Sequence, residues 1–152
     1  MSSKQLEIRP FRVAGLRVNT LNSAEQNPST ARIGPMWQRF FTEGLYESIA
    51  NKTPTSKVYG VYSNYESNAS GSFDVTAGVA VDAPAGDYPS IEVEGGQYLV
   101  FDAQGAMPGA VIEAWTRVWA FFEAHPQIKR RFATDFEAYT GPDSVAVHIG
   151  IF

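Results

Sequence analysis

The sequence predicts an α+β fold: two copies of a strand–helix–strand–strand module, related by a pseudo-twofold and sharing an antiparallel sheet. Three observations predict it. Two amphipathic segments carry apolar residues at helical spacing, near Trp37 and near Trp115. Each is preceded by one strand-like segment and followed by two. The same element order therefore recurs at half the chain length, over residues 6–81 and 90–151, within one domain spanning residues 1–152.

The elements follow in order. Residues 6–20 alternate, with Phe11 and Val13 on one side and Ala14, Leu16 and Val18 on the other, and read as one strand bent at Gly15. Residues 21–30, with an Asn-Pro step, read as a loop. Pro35 suits a first helical turn. Trp37, Phe40, Phe41, Leu45 and Ile49 then form an apolar stripe on a helix that runs to Asn51, and Pro54 prevents continuation. VYGVYSNY and SFDVTAGVAV form a hairpin around the polar ESNASG.

In the second half, residues 90–104 read as a strand and Pro108 opens a helix. Its stripe is Val111, Trp115, Val118 and Phe122, and His125-Pro126 stops it. Both helical stripes read as core, with Trp115 the best candidate for an exception. ATDFEAYT and SVAVHIGI close the chain as a hairpin around Gly-Pro-Asp.

Composition narrows the function. With 44% hydrophobic and 18% charged residues the chain is an ordered globular type. No apolar run approaches the ~20 residues of a membrane span. The N-terminal segment lacks the apolar core of a secretion signal, so a cytoplasmic location is expected. With no Cys, thiolate chemistry is excluded, and His125 and His148 are too few and too far apart for a metal site. No cofactor motif is present.

Twelve basic and sixteen acidic residues give a net charge of −4, which disfavours nucleic acid as a direct partner. The Lys129-Arg130-Arg131 run reads as a solvated stretch after a helix rather than a phosphate grip.

Aligning the modules matches Tyr59-Gly60-Val61-Tyr62 with Phe136-Glu137-Ala138-Tyr139. Strand alternation puts Gly60, Tyr62, Glu137 and Tyr139 on one face. The other face is expected to pack on the helices. A pseudo-twofold would bring these four residues near its axis, with Gly60 leaving room and Glu137 supplying charge. From pattern alone a strand glutamate most often faces solvent, and both readings remain open at this level.

The stretches PFRVAGLRVNT, MWQRFFTEGL, VYGVYSNYES, GQYLVFDAQG, VIEAWTRVWAFF and TDFEAY, in this order and spacing, resemble the GyrI-like proteins, the effector-binding domains of AraC-type transcription activators. The resemblance runs from Ile8 to Ile151. It implies two modules around a central cleft that binds lipophilic, often cationic, aromatic compounds. It places the charge-bearing carboxylate at Glu137, with Tyr62, Tyr139, Trp115 and Trp37 around it and Gly60 opposite. It implies a free-standing binder, since the double module leaves no room for a helix-turn-helix. The expected role is sensing or sequestering linked to transcription regulation or drug response, as a monomer or weak dimer with or without a separate protein partner. The alternative is a small hydrolase of activated or strained electrophiles with the cleft glutamate as general base. A third reading is an interaction module that regulates a larger enzyme.

Overall fold

The computed structural model describes residues 4–54, 56–66 and 71–152. Among these residues eight strands form one sheet: β1 (Lys4–Ile8), β2 (Phe11–Thr20), β3 (Val58–Ser63), β4 (Phe73–Val81), β5 (Ser90–Val93), β6 (Gly96–Gln104), β7 (Arg130–Gly141) and β8 (Ser144–Ile151). The helices are α1 (Asn22–Glu25), α2 (Ile33–Thr42), α3 (Leu45–Ser48) and α4 (Gly109–Ala124). The expected hairpin loop between β3 and β4 falls partly on residues 67–70, outside the described residues.

The strand order is β1-β6-β8-β7-β3-β4-β2-β5, and every pairing is antiparallel. Exchanging the two halves of the chain turns this order into its own reverse. The exchange maps β1 on β5, β2 on β6, β3 on β7 and β4 on β8. The α+β duplication with a pseudo-twofold is therefore the architecture of the molecule, and the axis passes between β3 and β7.

Each long strand expected at the start of a module is two strands. The first breaks at Arg9-Pro10, because proline has no N–H to continue a ladder. The second breaks at Glu94-Gly95. The short pieces then cross over: β1 pairs with β6 of the other module, and β5 pairs with β2. The two breaks touch. A side chain at Gly95 would lie 2.7 Å from Pro10 Cδ, so only glycine lets the kinks pack together.

The first helix also divides. Gly44 adopts the left-handed conformation (φ 62°) and ends α2, and the chain re-enters a helix as α3. The loop expected over residues 21–30 contains α1. The basic run is solvated only at Lys129: Arg130 and Arg131 belong to β7, and the Arg130 side chain is only 8% exposed in an ion pair with Asp135.

Three clusters make the core. α2 packs on β2 and β4 through Met36 and Phe40, beside Val75 and Val79. α4 packs on β6 and β8 through Ala114 and Val118, beside Val147 and Ile149. The opposite face of the central strands buries Val61, Phe136 and Ala138 with Val13, Val93 and Tyr98. Truncating a buried ring such as Phe40 to alanine costs about 3–5 kcal/mol. The helices lie over the outer strands of each module, so a gap remains above β3 and β7, and the curled sheet closes around that cleft. Gly60, Tyr62, Glu137 and Tyr139 therefore share the helical face. The expectation that helices would cover the other face is corrected by how far apart α2 and α4 sit on this wide sheet. Phe41 is corrected as well: it is 64% exposed and borders the cleft instead of joining the core.

Candidate functional site: a buried carboxylate on the pseudo-twofold axis

Gly60 pairs directly with Glu137 in the β3–β7 ladder. The two are also equivalent positions of the repeat. A residue can face its own equivalent only on the axis, so this pair marks it. The axis has room for one long side chain. A Cβ added at Gly60 would lie 2.8 Å from Glu137 Oε1 and 3.0 Å from Trp37 Cζ2. Gly60 is the space that Glu137 occupies.

Strand alternation then fixes the neighbours. Tyr62 and Tyr139 flank the carboxylate from the two central strands. Tyr62 donates its hydroxyl to Glu137 Oε2 at 2.8 Å, and Tyr139 donates to Oε1 at 2.8 Å. Trp115, half-buried on α4, donates Nε1–H to Oε2 at 2.7 Å. Its ring lies 4.9 Å from that of Tyr62. Trp37 takes the matching place on α2, with its ring edge against Tyr139 at 5.4 Å. All six residues singled out from the sequence thus meet at one point.

Glu137 is 3% exposed, yet among the described residues no Lys, Arg or His forms an ion pair with it. Burial pushes its carboxyl above the usual carboxylate range, against the three hydrogen bonds, which favour the anion. Burial and then the Glu137 charge hold the Tyr62 and Tyr139 phenols above their ordinary value, so both stay neutral donors.

A cavity of about 1150 Å³ opens above the carboxylate between α2 and α4. It exceeds the ~300–1,000 Å³ of most small-molecule pockets and can take several ring systems. Its outer part is bordered by Phe41 and Trp119, one turn beyond Trp37 and Trp115 on their helices. Phe41 stacks on Trp37 (5.9 Å, 22°), and Trp119 is 49% exposed beside Trp115 (6.5 Å). Their i, i+4 spacing from the two tryptophans was a usable signal.

The sequence reading also missed Tyr65, Arg130 and Asp135. Asp135 is fully buried two residues before Glu137, on the same strand face. Its Oδ2 accepts from Arg130 Nη2 at 2.8 Å and Tyr65 OH at 2.5 Å, and its Oδ1 accepts from Gly150 N at 2.8 Å. Its two-residue offset from Glu137 was readable, but its partner Arg130 depends on an irregularity in β7 that no local pattern announces.

His148 lies apart from the cleft, stacked on Phe136 at 4.2 Å, and burial lowers its pKa to about 4. Among the described residues no group of three His, Cys, Asp or Glu could hold a metal ion, and no helix is long and apolar enough to cross a membrane.

The fold has solved relatives. The integron cassette protein VCH_CASS2 from the mobile metagenome of Vibrio cholerae is 38% identical, with a TM-score of 0.84, over 99% of this chain and 95% of that one. SAV2435, solved bound to tetraphenylphosphonium, is 20% identical with a TM-score of 0.81, covering 100% of this chain and 94% of that one. The EcmrR C-terminal domain is 12% identical with a TM-score of 0.62, covering 99% and 97%. The latter two likenesses establish the GyrI-like effector-binding fold alone. No curated protein matches the chain. The model of the family Cass2, integron-associated effector binding protein, matches residues 6–151. With that match and 38% identity to a cassette protein along nearly its whole length, the chain belongs to the Cass2 family of integron-associated effector-binding proteins.

Proposed function

We propose that the protein binds lipophilic, cationic aromatic compounds in the cleft above Glu137, as a sensor or sequestering protein linked to transcription regulation or drug response. The observation that carries this reading is the state of Glu137. It is a buried carboxylate whose three partners are all neutral donors, at the base of a large aromatic cavity. An uncompensated charge in such a place costs several kcal/mol. A ligand cation supplies the missing counter-charge. Tyr62, Tyr139, Trp37 and Trp115 offer ring faces, each contributing about 0.5–2 kcal/mol to a cation. Micromolar affinity needs about −8 kcal/mol, within reach of charge, rings and apolar burial together.

The lipophilic cation bound by SAV2435, a protein of this fold, supports the ligand class. The acidic net charge supports a protein that does not contact nucleic acid itself. We place it in the cytoplasm, as a monomer or weak dimer that works alone or through a separate protein partner.

Titrating the purified protein with a panel of lipophilic cations and activated electrophiles tests the reading. Saturable cation binding without turnover is expected. Conversion of an electrophile to product would instead favour the hydrolase, with Glu137 as base. No binding by any cation would overturn the proposal.

A further inference from the structure

β7 presents two buried carboxylates on one face, Asp135 and Glu137, about 7 Å apart by the rise of a strand. Their surroundings differ in charge. Asp135 has a cation of its own, Arg130, and among the described residues Glu137 has none. Arg130 and Glu137 both border the cavity.

The chain goes to some length to hold Arg130 there. The β7–β8 register jumps between Arg130 and Asp135, and within that irregularity Phe132 takes a left-handed conformation (φ 53°). A bulky residue in that region is strained, and strain of this kind concentrates at sites with a job. The Phe132 ring lies 4.3 Å from the Arg130 guanidinium and 5.6 Å from the Tyr65 ring. Phe122 approaches the guanidinium from α4 at 5.9 Å. The guanidinium thus has an aromatic seat and a carboxylate, and its buried Nε has no hydrogen-bond partner among the described residues.

Glu25 and Lys57 also border the cavity. Glu25 uses both oxygens on Thr20 Oγ1 and on the N–H groups of Arg32 and Ile33 at the start of α2, well away in sequence and role from the β7 floor.

We propose that Arg130 sets the ligand charge that the cleft accepts. By neutralising Asp135 it leaves Glu137 as the uncompensated carboxylate of the β7 floor, and so makes the cleft select monocations over dications. This rests on the cation-binding role proposed for Glu137. A second positive centre reaching toward Tyr62 and Tyr65 meets no free anion, and it meets the guanidinium instead. With Arg130 removed, Asp135 becomes a second anchor one strand pleat from the first.

The test uses two probes of nearly the same shape, the N-methyl-phenylpyridinium monocation and the N,N′-dimethyl-bipyridinium dication, titrated by calorimetry. The wild type should prefer the monocation by about tenfold or more, as expected for charges some 7 Å apart in a partly buried site. Arg130→Met should reduce or reverse that preference by a similar factor. Asp135→Asn keeps the shape and the bond from Gly150 but leaves the guanidinium uncompensated. It should weaken the monocation about tenfold although Glu137 is untouched, and it decides the matter if Arg130→Met does not fold, as thermal unfolding will show. Equal affinity of wild type for both probes, a preference unchanged in Arg130→Met, or a monocation affinity unchanged in Asp135→Asn overturns the inference. Failure of the wild type to bind either probe, or any other lipophilic cation, would instead remove the cation-binding reading on which it rests.

Discussion

Glu137→Gln separates charge from shape at the base of the cleft. An amide can satisfy the local hydrogen bonds. Its oxygen takes the place of Oε2 and accepts from the Tyr62 hydroxyl and from Trp115 Nε1–H, which can only donate. Its NH2 takes the place of Oε1 and donates to Tyr139, whose hydroxyl turns to accept. The change therefore removes the negative charge with little disturbance. A cation about 4 Å from the carboxylate gains about 4 kcal/mol at an effective dielectric near 20. Part of that is offset by the ligand's desolvation, and the ring contacts remain. The expected loss is about 2–3 kcal/mol, roughly a 30- to 150-fold rise in Kd for a permanent cation. A neutral analogue of the same shape should change less than about threefold, since it has no Coulomb attraction to lose.

The fold should hold or gain stability, because an uncompensated buried anion is relieved. The sign follows from linkage. Burial raises the Glu137 pKa in the folded protein, so the folded state holds its proton more tightly than the unfolded chain. Wild-type stability should rise as pH falls from the raised folded value toward the ordinary carboxylate value, and the variant should lack that component. Isothermal calorimetry with a matched cation and neutral ligand, and thermal melts across pH, read all of this. Equal cation affinity in wild type and variant would refute the reasoning and return Glu137 to a structural role.

Three further outcomes follow from the same geometry. Cation affinity should fall as pH drops through the raised pKa of Glu137, because the proton competes with the ligand; fluorescence titrations with a permanent cation, repeated in Glu137→Gln, should show the slope vanish. Trp115→Phe removes a donor that favours the anion, so the midpoint of that pH dependence should move upward while a neutral ligand loses only ring contact. Gly60→Ala sets a methyl 2.8 Å from Glu137 Oε1, and should displace the carboxylate, weaken cations about tenfold or more and destabilise the fold by about 1–3 kcal/mol on a melting curve.

The residues on the axis were legible because strand alternation is local. Once Tyr59–Tyr62 is matched with Phe136–Tyr139, the faces of Gly60, Glu137, Tyr62 and Tyr139 follow from a period of two. The helical stripes likewise gave α2 and α4, and the two tryptophans with them. What was not legible depends on partners distant in sequence. Nothing local to residues 4–8 says that β1 pairs with β6, from Lys4 opposite Val100 to Ile8 opposite Gly96, most of the chain away. Which sheet face carries the helices depends on how widely the sheet spreads α2 and α4. Arg130 looked solvated because a run of three basic residues usually is, whereas a strand irregularity and a left-handed Phe132 turn it onto Asp135. Phe41 fitted the apolar stripe of α2, and only the cleft on that side of the helix explains its exposure.

A crystal structure of the protein with a bound lipophilic cation tests the central claim most directly. The cationic centre should lie within about 6 Å of the Glu137 carboxylate and of the Tyr62 and Tyr139 rings, the range over which charge and ring faces attract a cation. A cation seated elsewhere, with Glu137 still held only by Tyr62, Tyr139 and Trp115, would contradict it.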